Sequence, residues 1–552
     1  MNFSPTPETG IPPTPGIPPT PGIPATTAIP PIDLTRSCID PSNPLHIPFL
    51  ADLQANILKS HGRKFAWHIF LQFTPAKIDA AKTWIADFAT GRITSALAIE
   101  QGRAAHKQFG ADGGAVFTIS LSATGYTALG IPATKFPVEQ GTPANAIVGD
   151  SPAFATGAKG SATKLGDGDP QRDWEKPFRG NVDMLIIVAD SQAAKAEKLA
   201  TRIATEASVF STVLTSQKGH VLHRKEGLGE TFNQAINIEH FGYADGISQP
   251  LYMKDEIDAQ PSTNLWDDEE PLNLVLVHDP NGKAHYSYGS FLVFRKLEQD
   301  VAGFMKAEEA IAPISDRDGI ENKDLPGAMM IGRFRNGNIL VQSNGFTGNI
   351  VAQSQTKNDF DYSSDPPPPA GSTPQYSSKC PFFAHTRITN PRADITIVPP
   401  SFVHSVRLTR RAMPYQDVSR FGPGLEDLTE PTQEQLSKHR PSKGVGLLFM
   451  CYVAHLGKQF EFIQNNWANH GHIAGRNIGP DGVVGQISPL PATGLPFKPA
   501  TPDLLNKKLP GQWGEPVPAT APDITFGHFT RNLGGEYFFT PSISFLQRIN
   551  LV

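Results

Sequence analysis

Short apolar runs alternate with amphipathic stretches along this chain, and the pairing occurs four times. In KFAWHIFLQF, Phe65, Trp67, Ile69, Leu71 and Phe73 fall on every second position, which predicts a strand with one buried face. Ile78, Ala81, Trp84, Ile85 and Phe88 then recur near the helical period of about 3.6, which predicts an amphipathic helix. VDMLIIVAD (Val182–Asp190) begins the second unit, with a helix expected from about Ser191 to Ser208. The third is GSFLVFRKL with a helix around Val301, Phe304 and Met305. The fourth is GVGLLFMCYV with a helix through Phe460, Ile463 and Trp467. GAVFTISLSA and ADITIVP supply further strands.

Two of these units fall in each half of the chain. A pair of β-α units completed by two more strands gives the split βαβ, ferredoxin-like arrangement. The expected fold class is therefore α+β: two ferredoxin-like domains related by duplication, with antiparallel sheets and peripheral helices. A single parallel α/β sheet is the rival, but the long and irregular spacing between units disfavours it. The polar, turn-rich DEIDAQPSTN places the break near residue 255, giving domains over 46–255 and 256–552.

Proline marks two segments that stand apart. GIPPTP occurs twice in succession from Gly10 to Pro21, and the stretch continues to Ile32. Such sequence favours extended polyproline II and offers few backbone donors, so residues 1–45 are expected to form an arm outside the core. In the second half, Ser354–Lys379 is polar and contains Pro366 to Pro369, as a surface loop would.

Composition narrows the function classes. At 552 residues and 39% hydrophobic content the chain can bury a large core. Its 48 basic and 53 acidic residues leave a net charge of −5, which argues against a polybasic nucleic-acid binder or a membrane-surface patch. Cys38, Cys380 and Cys451 form no C-x-x-C pair, so neither a disulfide scaffold nor a zinc cage is expected. No run reaches the ~18 apolar residues of a membrane span. The start, MNFSPTPETG, has no secretory signal pattern, so a cytoplasmic location is expected. Exposed sheet edges would permit a homodimer.

The usual hydrolase and nucleotide-binding motifs are missing: no G-x-S-x-G, no Walker loop and no H-E-x-x-H. Two clusters stand out instead. In EHFGYADGISQP (Glu239–Pro250), Asp245 lies between Gly242 and Gly246. Taken alone, this reads most simply as a tight turn, with glycine supplying positive φ and Asp bonding the backbone. In CPFFAHTRITNPR (Cys380–Arg392), His385 follows an apolar stretch. A buried neutral imidazole there would suit iron, although a hydrogen-bonded core histidine is the commoner case. Arg387, Arg392, Arg407, Arg410 and Arg411 follow closely. A solvated basic face would explain them; arginine beside a buried site more often holds an anion.

Together, GYADG, HTRITNPR, RRAMPY, ADLQANILKSHGR, GLLFMCY, FIQNNWANH and GGEYFFTPSISFL resemble the dye-decolorising peroxidases, a family of haem peroxidases. The likeness runs in order from about residue 50 to the C-terminus. It implies one haem b per chain, bound mainly by the C-terminal half, with hydrogen peroxide and organic reductants such as dyes and phenolics as substrates. A haem-binding or haem-handling protein with only incidental peroxidase activity is the alternative. By the same resemblance, Asp245 is the distal acid–base residue and His385 the proximal iron ligand. Arg410 is the distal arginine, with Arg411 as rival because the tandem blurs the register. Arg392 contacts a haem propionate, Leu447 and Phe449 line the distal pocket, and Asp481 in GPDGVVGQ partners His385. Trp467 and Tyr415 match positions used in some members as surface electron-transfer sites. Unlike the secreted fungal members, this sequence has the GIPPTP arm and no visible signal peptide.

Overall fold

The computed structural model describes residues 31–139, 152–226, 234–260, 265–315, 319–341, 358–362, 379–394, 399–473, 476–486 and 505–551. Its frame is a ring of strands: β1 (Phe65–Phe73), β2 (Val116–Ser122), β3 (Met184–Asp190), β4 (Ser211–His220), β5 (Tyr288–Gln299), β6 (Met413–Gln416), β7 (Val445–Val453) and β8 (Thr530–Thr540). Three helices carry the expected stripes: α1 (Ile78–Gly91), α2 (Ala193–Ala207) and α3 (Val301–Glu309). Helix α3 begins at Asp300, whose carboxylate accepts the Gly303 N–H at 2.8 Å, a normal cap for the otherwise unpaired first turn.

The strand order carries the duplication. In the first half β1-α1-β2-β3-α2-β4 folds with neighbours in the order β4-β1-β3-β2. In the second half β5-α3-β6-β7, the helical segment 457–469 and β8 give β8-β5-β7-β6, the same order. All these pairings are antiparallel. The two sheets then join at both edges, through Phe538↔Ser122 and Tyr415↔Gly219, and the ring closes. Closure removes sheet edges that would otherwise template further pairing.

It also changes the burial of β1. One buried face was expected; instead Ala66, His68 and Phe70 are as buried as Ile69 and Leu71. One face of β1 meets the ring interior, where Phe70 lies 4.6 Å from Phe294 of β5 and 6.4 Å from Phe538 of β8, ring centroid to ring centroid. Phe70, Phe294 and Phe538 belong to one continuous cluster of buried side chains to which both halves contribute.

Gly446 shows how tightly the second sheet is laced. A Cβ there would meet the Leu297 carbonyl oxygen at 1.9 Å, so only glycine lets β7 approach β5 at that point.

The two proline-marked segments differ from expectation where they can be described. Residues 1–30 lie outside the described residues. The remainder of the expected arm is docked: Ile39 is buried, donates to the Tyr252 carbonyl and accepts from Lys254 N–H. Of the expected surface loop at 354–379, residues 358–362 and 379 are described. Phe360 and Tyr362 are buried there, because arginines lie over their rings, Arg392 over Phe360 at 3.6 Å and Arg387 over Tyr362 at 4.5 Å. Four residues of the ADITIVP strand, 395–398, also lie outside the described residues. Among the described residues no helix is long and apolar enough to cross a membrane.

Candidate active site

Beside the ring, mostly on its second-half side, lies a cavity of about 600 Å3, well within the usual ligand-pocket range of roughly 300–1,000 Å3. His385, Asp245, Arg410, Arg392, Leu447, Phe449 and Trp467 all line it. Residues 140 positions apart in sequence therefore share one chamber, and each is set by its own local structure.

His385 opens a five-residue helix, His385–Thr389. Its Nδ1 lies 2.7 Å from Asp481 Oδ2, and the ring keeps 24% of its side-chain surface, turned to the cavity. Asp481 is fully buried, and its other oxygen accepts the N–H groups of Val483 and Val484 at 2.6 and 3.1 Å. Burial disfavours both charges, but their mutual attraction wins: the imidazole is held above its ordinary pKa and the carboxyl below its own. This geometry fixes the tautomer with Nδ1 protonated and Nε2 bearing the free lone pair.

Asp245 stands at the end of a turn in which Gly242 and Gly246 have φ of +90° and +77°, conformations other residues adopt only at a cost. The Asp245 N–H donates to the Asn237 carbonyl at 2.9 Å, and its Oδ1 accepts the Gly246 N–H at 2.7 Å. Arg410 Nη1 lies 3.8 Å from that same Oδ1, and Nη2 donates to the Ile247 carbonyl at 2.6 Å. Arg411 also borders the cavity, but its guanidinium is spent on the carbonyls of Asn56 (2.9 Å) and Ile57 (3.0 Å) rather than on Asp245. The tandem that the sequence left ambiguous is thus divided by its partners, and only Arg410 faces Asp245.

Leu447 and Phe449 alternate with the buried Leu448 and Met450 on β7, so period two turns the first pair to the cavity. Arg392 is buried with φ of +48°, and its guanidinium donates to the Ser248 hydroxyl at 3.0 Å as well as to the carbonyls of Asn358 and Phe360. Burial pushes its pKa down to about 9, against the pull of Asp268.

The surface assignment of Trp467 and Tyr415 is corrected. Trp467 is 4% exposed, packed edge-on against Phe462 at 5.2 Å. Tyr415 is fully buried, because β6 closes the ring and Lys296 lies over its phenol at 4.8 Å. Neither is a residue of the outer surface.

Sequence reasoning missed several cavity residues. Arg333, in AMMIGRF, is buried in the cavity wall, and burial lowers its pKa to about 10. An arginine directly after an apolar run was the available signal. Glu239 also lines the cavity, accepting the N–H groups of Phe241 (2.8 Å) and Tyr243 (2.9 Å) and the Gln299 amide (2.6 Å). Its place six residues before Asp245 gave no warning of this.

The chamber fits a haem by its donor set. An imidazole with a carboxylate behind it presents Nε2. Ile331, Val403, Val406, Leu408 and Ile463 provide apolar walls, and Arg333 and Arg392 are buried cations suited to anionic substituents.

No protein-family model matches the chain. The multifunctional dye peroxidase DyP2 of Amycolatopsis sp. is 33% identical over 509 residues, 91% of this chain and 96% of that protein. A solved DyP-type peroxidase of Anabaena sp. is 32% identical, with a TM-score of 0.74 over 94% of this chain and 99% of that one. A dye-decolorising peroxidase in complex with 2,6-dimethoxyphenol is 25% identical, with a TM-score of 0.64 over 91% of this chain and 99% of its own. With a chamber of this composition and a relative of that identity along almost its whole length, the chain belongs to the dye-decolorising peroxidases, a family of peroxide-dependent haem oxidoreductases.

Proposed function

We propose that the chain holds one haem b through His385 Nε2 and reduces hydrogen peroxide at the expense of dyes, phenolics and other one-electron donors. The observation that carries this reading is the meeting of two pairs, His385–Asp481 and Asp245–Arg410, in one chamber. The donor classes are supported by the name of the Amycolatopsis relative and by the phenol bound to the solved peroxidase.

When bound, the haem iron would supply the redox chemistry that splits peroxide and accepts electrons singly from donors. Asp481 keeps the Nδ1 proton of His385 engaged, which orients the ring and makes Nε2 a stronger donor. Asp245 serves as the acid–base group. Its Oδ1 is occupied by the Gly246 N–H and faces Arg410, so Oδ2 is the atom that takes a proton from one peroxide oxygen and returns it to the other. Arg410, held by the Ile247 carbonyl, offers fixed positive charge where negative charge grows as the O–O bond breaks. Arg392 and Arg333 would hold the propionates, and Leu447 and Phe449 would restrict the space on the side of Asp245 and Arg410.

An absorption spectrum with iron analysis of the purified protein tests the reading. A Soret band is expected, and it should be lost in His385→Ala. A colourless, iron-free protein after expression with haem supply would overturn it.

A further inference from the structure

Lys507 is a buried lysine that no part of the mechanism above uses. It is 3% exposed and lies on the short strand Asn506–Lys507, which pairs with Ile524–Thr525. An ammonium removed from water needs several compensating partners. Its Nζ donates to the carbonyls of Ile478 (3.0 Å) and Pro480 (3.3 Å), and it lies 5.3 Å from the centre of the Phe383 ring. No carboxylate forms an ion pair with it among the described residues; the charge that acts on it is that of Asp481. Burial brings its pKa down to about 8, still protonated through the neutral and acidic range.

These partners sit on both sides of the His385–Asp481 contact. Pro480 immediately precedes Asp481, and Phe383 lies two residues before His385. The ammonium therefore joins the loop that delivers the carboxylate to the segment that delivers the imidazole. Its charge also acts on the carboxylate. A carboxylate near a cation is a weaker base and draws less on the Nδ1 proton. With less pull, the imidazole carries less negative character at Nε2.

We propose that Lys507 is a positioning residue that tempers the charge Asp481 passes to His385, and so sets the reduction potential of iron held there. The inference rests on the proposed role of His385 as iron ligand. Two effects of the ammonium act in the same direction: it weakens the imidazolate character of the ligand, and its own field favours the less positive iron state. Removing it should therefore lower the ferric/ferrous potential.

The test uses holoenzyme. Lys507→Met should shift the midpoint in a spectroelectrochemical titration to lower potential and raise the iron–histidine stretching frequency of the ferrous form. Lys507→Arg, which keeps the charge, should stay near the unsubstituted protein in both. Lys507→Gln keeps a donor for the two carbonyls and reads the same loss of charge if Lys507→Met does not fold. Midpoints that coincide in the unsubstituted, Met and Gln proteins would overturn the proposal. So would a shift in Lys507→Arg as large as in Lys507→Met, which would assign the effect to packing. Haem retained in full by His385→Ala would instead overturn the ligand assignment beneath it, a separate outcome read from the Soret band.

Discussion

Arg410 and Arg411 are adjacent in sequence, yet their guanidinium groups serve different structures: the first faces Asp245 at 3.8 Å, the second ties down the carbonyls of Asn56 and Ile57. Their deletions should therefore separate. Arg410→Leu should slow the reaction with hydrogen peroxide by about 100- to 1,000-fold, the scale of a lost electrostatic donor, and, because it strands only the half-buried Ile247 carbonyl, shift unfolding less than the loss of Arg411 does. Arg411→Leu strands two carbonyls at a cost of about 1–3 kcal/mol each. It should lower the denaturation midpoint far more than the peroxide rate. Stopped-flow mixing with peroxide and urea titration of both variants would check this; equal kinetic losses would count against the division.

Among the described residues, Asp245 is the only carboxylate in the chamber facing Arg410, since Glu239 is engaged by two backbone N–H groups and Gln299. Asp245→Asn keeps the shape of the turn, because an amide oxygen can still accept the Gly246 N–H. It cannot take a proton. The peroxide step should fall by about 100- to 10,000-fold with haem content intact. Retained speed would mean that another group moves the proton.

Much of this architecture was legible in the chain, for physical reasons that differ by element. The strand–helix units were readable because periodicity survives in sequence: Phe304 and Met305 of α3 and Ile85 and Phe88 of α1 are buried as their spacing required. The duplicated strand order follows from those units. Ring closure was not legible, because it depends on edge pairings between residues some 200 to 400 positions apart, such as Tyr415↔Gly219 and Phe538↔Ser122. Residue spacing alone left Asp245 a turn and His385 a core residue; the resemblance singled them out, and only the fold brings them into one chamber. Glu239 and Lys507 were invisible because their significance lies wholly in distant partners. Surface exposure of Trp467 and Tyr415 could not be read from sequence at all, since a buried and an exposed aromatic obey the same spacing.

Burial of those two aromatics carries its own expectation. Tyr415 leaves its hydroxyl buried without a hydrogen bond among the described residues, so Tyr415→Phe should be neutral or slightly stabilising, by up to about 1 kcal/mol. Trp467→Phe trims a cavity wall packed on Phe462. It should alter bulky dyes and small phenols alike, with no selective loss of the dyes. Steady-state rates for a sulfonated dye and a small phenol in each variant decide the matter; a loss confined to the dye would show that an electron passes inward from the dye through that residue after all.

Glu239 gives the chamber a pH dependence whose sign can be worked out. Burial pushes its carboxyl up to about 7, against the N–H groups that favour the ionised form. In the unfolded chain a glutamate titrates near ~4.3. Between these two values the folded protein keeps a proton that the unfolded chain has lost, so the contribution of this group falls as pH rises. It is largest below pH ~4.3 and is spent by about pH 7. Because the residue borders an open chamber, the loss should amount to about 1–3 kcal/mol. Glu239→Gln carries no titratable proton and should flatten this part of the profile. Urea unfolding of both proteins at pH 5 and pH 7.5 measures it: the unsubstituted protein should lose more stability across that interval than Glu239→Gln. Parallel losses would place the titration elsewhere.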